Sequence, residues 1–338
     1  MELERLSNLT GVSGNEQRVR DFIYKKLKGK ARHIETDAMG NLYAYFPSGR
    51  KNAKKVMLAA HMDEVGLMIT GIESSGELRF HPVGGISTSV LLAKPVRIGE
   101  EGIPGVIESK AIHLLKDEEL GHYPKIEQLR IDAGFSSKDE AEKKVKLGDY
   151  AYFDTSFKRE GDRFIGKAFD DRVGCSLLLD LASEKFPFDL VLTFTVQEEV
   201  GLRGARVAGY KIFPDAAIAV EGTAAGDFPI EKDTGAFPEL KKGPVLTVMD
   251  RSIIVDKKLL KHFVKTAERE KIPYQFKRPN IGGTDAGRIH LSKTGVPSMV
   301  IAVPIRYIHA PAGIMRGIDY RNTLKLLKGA LKNIEEVI

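Results

Sequence analysis

The sequence predicts an α/β fold interrupted by a small inserted β-rich domain, and three observations carry the prediction. Four apolar runs, VMLAA (56–60), LVLTFTV (190–196), AAIAV (216–220) and SMVIAV (298–303), are rich in β-branched residues and short enough to be buried strands. Amphipathic segments with apolar residues at three- and four-residue steps lie between and around them and read as helices. From about Met68 to Gly161 the texture changes to short β-like runs separated by glycines and turns, with no long helix to cover a sheet. The 338 residues exceed one small core and divide into 1–67 (first part of the α/β domain), 68–161 (the insertion) and 162–338 (its second part).

Taken in order, residues 2–9 and 15–28 read as helices. Ser13 and Glu16 form a capping-box pattern before the second helix, whose buried stripe is Val19, Phe22, Ile23 and Leu27. A strand at 41–46 precedes the run 55–60, which ends in His61-Met62-Asp63-Glu64. In the insertion, strands at 67–72, 78–82, 95–98, 105–107 and 150–153 suggest a small barrel or sandwich. One helix falls near 137–146, capped by Ser136 or Ser137. Beyond Gly161 come a helix at 171–184 (Val173, Leu177, Leu178 and Leu181 inward) and the strand ending before Glu198-Glu199. Strands at 216–220 and 245–248 follow. A helix at 257–271 has Asp256 as N-cap and Leu260, Phe263, Val264 and Ala267 inward. A strand at 297–303 precedes a last helix at 320–337 with Leu324, Leu327, Leu331 and Ile334 on one side. No internal repeat or low-complexity segment is present.

Composition narrows the function. Lys+Arg 52 against Asp+Glu 46 gives a net charge of +6. The basic runs (Lys25, Lys26, Lys28; Lys143, Lys144, Lys146; Lys257, Lys258, Lys261) sit in separate amphipathic segments as solvated faces, so no nucleic-acid partner is expected. The single cysteine, Cys175, cannot form an intramolecular disulfide or a thiolate zinc cluster, and its apolar neighbours make it a small buried side chain. No secretory h-region opens the chain and no apolar run reaches ~18 residues. The expectation is a cytoplasmic protein without a membrane partner.

Chemistry collects where the apolar runs stop. VMLAA ends in His61, LVLTFTV leads to Glu198 and Glu199, AAIAV ends in Glu221, SMVIAV leads to His309, and Asp170-Asp171 stands just before a helix. Each is ambiguous alone: the glutamate pair could open a solvated loop, the aspartate pair could cap a helix, and Asp63 could be a turn residue or could orient His61. Together they offer nitrogen and oxygen ligands suited to zinc, cobalt or manganese at one sheet edge. Two imidazoles and three carboxylates exceed what one catalytic zinc needs. With one carboxylate bridging they fit two cations about 3.5–4 Å apart. Adjacent glutamates on an extended chain point to opposite sides, so Glu198 and Glu199 are expected to have different jobs.

The segments AHMDEVGLM (60–68), GKAFDDRVG (166–174), VQEEVGLRGA (196–205), GGTDAG (282–287) and IRYIHAP (305–311) resemble the tetrahedral aminopeptidases, the glutamyl- and leucyl-aminopeptidase-like branch of the di-metal exopeptidases. The resemblance extends through the insertion, in VGGISTSVLLAKPVRI (83–98) and GVIESKAIHLL (105–115). It implies the di-metal exopeptidase fold, a mixed sheet sandwiched by helices, with a barrel-like dimerisation domain inserted. It further implies two divalent ions per chain, zinc or cobalt. His61 and Glu221 would bind one ion, Glu199 and His309 the other, and Asp170 would bridge them. Glu198 would be the general base for a metal-bridged water, Asp63 would steady His61, and the Asp170–Asp171 bond would be cis. The implied activity is removal of N-terminal residues from peptide substrates by a homo-oligomer, dimers assembling to a dodecamer. Two departures stand out. Glu221 replaces the more usual aspartate, and Ala310-Pro311 with Ala312 and Gly313 replaces a Ser/Thr-Pro step followed by an acid. A related amidohydrolase or carboxypeptidase would share the chemistry. A glycosidase, a label some relatives have carried, needs two carboxylates facing a sugar from opposite sides, which neighbours on one strand do not provide. A protein whose ions only staple the fold would leave Glu198 without a role.

Overall fold

Along the strand that ends at His61, Val56, Leu58 and Ala60 belong to one apolar cluster and Met57 and Ala59 to another, and all five are buried. Alternate side chains leave a strand on opposite faces, so this segment lies inside a sheet covered on both sides. The protein, described for residues 1–228 and 237–338 by a computed structural model, is built around that sheet.

Helices α1 (Leu3–Asn8) and α2 (Gln17–Leu27) lead into strands β1 (His33–Thr36), β2 (Leu42–Phe46) and β3 (Lys55–His61). Next come β4 (Gly66–Ile72), β5 (Leu78–Val83), β6 (Pro95–Ile98), β7 (Ile103–Ile107), β8 (Ile131–Asp132), the short helix α3 (Lys138–Glu142) and β9 (Tyr150–Phe153). Strands β10 (Lys158–Glu160) and β11 (Arg163–Gly166) precede α4 (Phe169–Leu181), β12 (Asp189–Thr195), α5 (Arg203–Ile212) and β13 (Ala216–Ala224). The chain closes with β14 (Val245–Leu246), α6 (Lys257–Arg269), β15 (Gln275–Phe276), α7 (Ala286–Ile289), β16 (Ser298–Ile305), β17 (Gly313–Arg316) and α8 (Gly317–Leu331).

Among the described residues the main sheet runs β1-β2-β12-β3-β13-β16-β14-β15. Strands β12, β3, β13 and β16 are mutually parallel, whereas β2 and β14 pair antiparallel with their neighbours, so the sheet is mixed. One face is covered by apolar residues of α2, α4, α6 and α8, the other by α5 and α7. The parallel strands present their carboxyl ends to one edge, with His61 opposite Thr195 and Glu221 opposite Ala302. Strands β4 to β9 close into a barrel with its own core of Leu67, Ile69, Leu78, Phe80, Ile98 and Ile131 among others, so the insertion is a barrel and not a sandwich. Among the described residues no helix is long and apolar enough to cross a membrane.

Several local expectations are corrected. Ser13 and Glu16 make no capping box: the Ser13 hydroxyl donates to Asp63, and the Glu16 carboxylate accepts from the backbone N–H groups of Gly14 and Gln197. Helix α3 spans only Lys138–Glu142, capped by Ser137. In α6 it is Leu259 and Thr266 that are buried with Phe263 and Ala267, while Leu260 and Val264 are half-buried. Helix α8 begins at Gly317 and ends at Leu331, with a separate turn at Ile334–Glu336. Strands β10, β11 and β17 form an extra three-stranded sheet that short, charged segments did not announce.

Helix α4 sits very close to β13. A Cβ added at Gly174 would lie 2.1 Å from the Val220 carbonyl oxygen and 2.5 Å from both carboxylate oxygens of Asp171. Gly174→Ala should therefore force α4 off the sheet and destabilise the protein by at least ~1–3 kcal/mol, the usual scale of overpacking. Urea unfolding midpoints of the two proteins check this.

Candidate metal centre

Each site residue is delivered by a sheet strand, by a turn at its end or, for Asp170, by the start of a helix. His61 closes β3, Glu221 lies in β13, Glu198 and Glu199 follow β12, His309 follows β16, and Asp170 opens α4. The chain leaves β12 through Gln197 at φ +55° and passes Leu202 at φ +58°, and Tyr307 and His309 after β16 have φ +61° and +57°. Left-handed backbone at several non-glycine residues around one spot is a mark of a functional site. The Asp170–Asp171 bond is cis.

The side chains converge. His61 Nε2 lies 3.2 Å from Asp170 Oδ1, 3.7 Å from Glu221 Oε2 and 3.9 Å from Glu198 Oε2. His309 Nε2 is 3.3 Å from Glu199 Oε2 and 3.5 Å from Asp170 Oδ2, so Asp170 stands between the two imidazoles. Both rings are oriented from behind. His61 Nδ1 faces the Asp63 carbonyl at 3.1 Å, and His309 Nδ1 faces the Gly85 carbonyl at 3.0 Å. A carbonyl only accepts, so each Nδ1 carries the proton and each Nε2 is turned to the carboxylates.

The Asp63 carboxylate is fully buried and serves the neighbouring turn. Its Oδ1 accepts from the Glu198 N–H at 3.0 Å, and its Oδ2 from the Glu199 N–H at 3.1 Å and the Ser13 hydroxyl at 2.6 Å. Glu198 and Glu199 thus lie in a turn beyond the strand, and both face the cluster. Their different neighbours come from this turn and not from strand alternation.

Residues beyond the ligands, base and His61 partner that the resemblance implies also take part. Asp171 accepts from the backbone N–H of His61 and of Gly174, and with His61 and Glu221 it forms a second group of close donor atoms beside that of His61, Asp170 and Glu199. Asp285, in the glycine-rich segment, accepts a hydrogen bond from the Thr195 hydroxyl. Arg172 is completely buried and reaches the carbonyls of Met62, Leu6 and Leu9 and the Glu64 carboxylate, which Lys167 also binds at 2.7 Å. This tie holds the segments carrying His61 and Asp170 in fixed relation. Glu64 and Lys167 stood within the motifs quoted above, but only their burial reveals the pairing.

Electrostatics and unmet bonding both favour cations here. Burial pushes the carboxyls of Glu198 and Glu221 well above their ordinary range, against the pull of His61, and burial likewise raises Glu199 and takes Asp285 to about 6. For His309 burial acts downward, but the hydrogen bonds with Asp170 and Glu199 prevail and raise it to about 11. Glu199 Oε1 and Glu221 Oε1 are buried and, among the described residues, have no hydrogen-bond partner. Buried polar atoms are rarely left unpaired, and oxygen and imidazole donors of this kind fit a divalent cation. A cleft beside Asp170, Glu199 and His309 is walled by Val65, Phe169, Ile305, Tyr307 and Ile308.

Comparison with known proteins agrees. The profile of the M42 glutamyl aminopeptidase family matches residues 40–326. A lysyl aminopeptidase of Pyrococcus furiosus is 34% identical over 345 residues, covering 98% of this chain and 96% of that protein. An aminopeptidase from the archaeon Desulfurococcus kamchatkensis superposes with a TM-score of 0.93 at 36% identity, over 99% of this chain and 96% of the other. The TET1 peptidase of Pyrococcus horikoshii, which can assemble into a tetrahedron or a large octahedral shell, gives 0.86 at 32% identity over 98% of each chain. Fold and matches together define a hydrolase that acts on peptide bonds, of the aminopeptidase class. The chain belongs to the M42 glutamyl aminopeptidase family.

The histidine protons give a test. With His309 raised from 6.5 to about 11, its proton stabilises the metal-free fold fully below pH 6.5, and that contribution is lost as pH climbs toward 11. A cation binding at Nε2 must displace the proton. Metal-free protein should therefore lose stability between pH 7 and 10, with metal affinity rising over the same range. Calorimetric titration in two buffers of different ionisation heat should show roughly one or more protons released per chain. Uptake of metal without proton release would mean that the histidines are not ligands.

Proposed function

We propose that the protein is a metal-dependent aminopeptidase that holds two divalent cations, zinc or cobalt. His61, Asp170 and Glu221 would hold one, and Asp170, Glu199 and His309 the other. The observation that carries this reading is the placement of Asp170 between the two imidazoles, with a buried unpartnered glutamate oxygen in each half of the site. The longer arm of Glu221 is compatible with it, since its Oε2 reaches to 3.7 Å from His61 Nε2. When bound, such cations supply acidification of a water and polarisation of the scissile carbonyl.

The remaining work falls to the chain's own groups. Glu198 lies against the cluster, and among the described residues no hydrogen bond engages its carboxylate, so it is free to accept a proton from the attacking water and pass it to the leaving amine. Burial already favours its protonated form, which assists the second transfer. Asp63 holds the Glu198 N–H and the His61 side in one frame, setting base and ligand relative to each other. Neighbouring carboxylates suit the free α-amine of a substrate, which would confine cleavage to the first residue.

The barrel is proposed as the contact surface between copies. Between β7 and β8 it exposes Ile112, Leu114 and Tyr123, at 77%, 61% and 66%. Apolar groups so exposed mark interaction sites. The assembly of the TET1 peptidase supports extending this to dimers that build a dodecamer.

Two experiments check the reading. Glu198→Gln should lower turnover of leucyl-p-nitroanilide by at least ~10²-fold while keeping bound metal near the parent level, as loss of a general base does. Glu199→Gln should instead lose metal, with activity partly restored by added cation. Reversed metal contents would exchange the two roles, and full activity in both would end the di-metal peptidase reading. Acyl-amino-acid and C-terminal substrates, assayed alongside, separate the amidohydrolase and carboxypeptidase alternatives. For assembly, light scattering of metal-loaded protein at micromolar concentration should give a mass well above 37.4 kDa, and a monomer would overturn the barrel contact.

A further inference from the structure

The turn that carries Glu198 and Glu199 is held by side chains from outside it. Strand β12 ends at Thr195, and the next four backbone N–H groups all donate to side-chain oxygens. Val196 donates to Asn41 Oδ1 at 3.0 Å and Gln197 to Glu16 Oε1 at 3.1 Å, while Glu198 and Glu199 share the Asp63 carboxylate. Of the three acceptors Glu16 comes from furthest along the chain, 181 residues before Gln197, at the N-cap position of α2. It is buried, and the same Oε1 also accepts from the Gly14 N–H at 2.7 Å, which fixes the oxygen from its own loop. Among the described residues Glu16 has no ion pair, so its carboxylate serves N–H groups and no cation.

The bond from Gln197 bears most directly on the site, because Gln197 is the residue at φ +55°. Left-handed backbone at a non-glycine residue persists only where its surroundings fix it, and a rotation there would swing the residues that follow. The two glutamates depend on that step unequally. The Glu199 carboxylate has His309 Nε2 at 3.3 Å to hold it. The Glu198 carboxylate has no hydrogen bond among the described residues, so its direction is set by its backbone alone.

We propose that Glu16 is a positioning residue for the general base: by taking the Gln197 N–H it holds the left-handed step from which Glu198 is aimed at the cluster. This rests on the reading of Glu198 as the base. Glu16 touches neither substrate nor ligand in this role and acts through Glu198.

Metal-loaded parent, Glu16→Ala, Glu16→Gln, Glu198→Gln and the double variant Glu16→Ala with Glu198→Gln are assayed on leucyl-p-nitroanilide, and bound metal is measured in each. Glu16→Ala should lower kcat by about tenfold or more with KM and bound metal near the parent values, the scale on which a misplaced reacting group acts. Glu16→Gln should keep most of kcat, since its amide oxygen can accept the same two bonds. In the Glu198→Gln background Glu16→Ala should cost less than about threefold further, because residues that act as a unit are not additive. Hydrogen exchange on the metal-free proteins gives a readout apart from activity. Glu16→Ala should speed exchange at 196–199 while β3 and β13 stay protected, and Glu16→Gln should not. A full further tenfold fall in the Glu198→Gln background would overturn the proposal, since Glu16 would then act elsewhere. So would parent-like kcat in Glu16→Ala. Loss of bound metal together with protection throughout the sheet would overturn it too, by making Glu16 a support of the fold only. A Glu198→Gln protein as active as the parent would sink the base reading itself, and the proposal with it.

Discussion

The carboxylates of Asp170, Asp171, Glu198, Glu199 and Glu221 crowd against two imidazoles at an edge of the sheet, where all but His309 are largely withdrawn from water. Like charges in a low-dielectric setting repel far more strongly than they would in solvent. The groups respond in the metal-free state by holding protons on His61 and His309 and by favouring neutral glutamates. The rest of the architecture can be understood as the means of keeping that unfavourable collection together. Four parallel strands, buried on both faces, fix the carboxyl ends from which most of the ligands project.

Rigidity behind the site comes from polar groups that are themselves fully satisfied. Glu64, Lys167 and Arg172 are buried together, and their hydrogen bonds reach α1, the residue after His61 and the approach to Asp170. A buried ion cluster contributes little net stability, because desolvation offsets attraction. Its geometric effect is larger, since any slip of one segment past another would leave a charge unpaired. Asp63 acts in the same manner on a smaller scale, binding the two backbone N–H groups of the glutamate turn and Ser13 at once.

The sheet strands were legible in the sequence because burial on both faces leaves continuous apolar runs, and the ligands were legible as the polar residues that stop those runs. What stayed hidden depends on contacts between distant segments. Ser13 and Glu16 carry a capping-box pattern, yet each is claimed by a stronger partner near the site, Asp63 for one and the Gln197 backbone for the other. Strand β10 is the charged and fully exposed Lys158–Glu160, with no alternation to betray it. The left-handed turns at Gln197 and His309 use residue types that do not announce them, so the reason why Glu198 and Glu199 face the same cluster could not be read in advance. Asp285 gains meaning only when the glycine-rich segment is seen to reach the end of β12.

The two imidazoles are braced by different parts of the molecule. His61 leans on the Asp63 carbonyl, in the turn that directly continues its own strand, whereas His309 leans on Gly85, which belongs to the barrel between β5 and β6. A shift of the barrel by about an ångström would break that second bond and free the ring to turn. In the proposed arrangement the two cation sites are thus unequal: they share Asp170 at the start of α4, but one draws its other ligands from the sheet, and the other takes its shape from how the barrel is seated. Any body that clamps the barrel, a second copy included, would act first on the looser of the two.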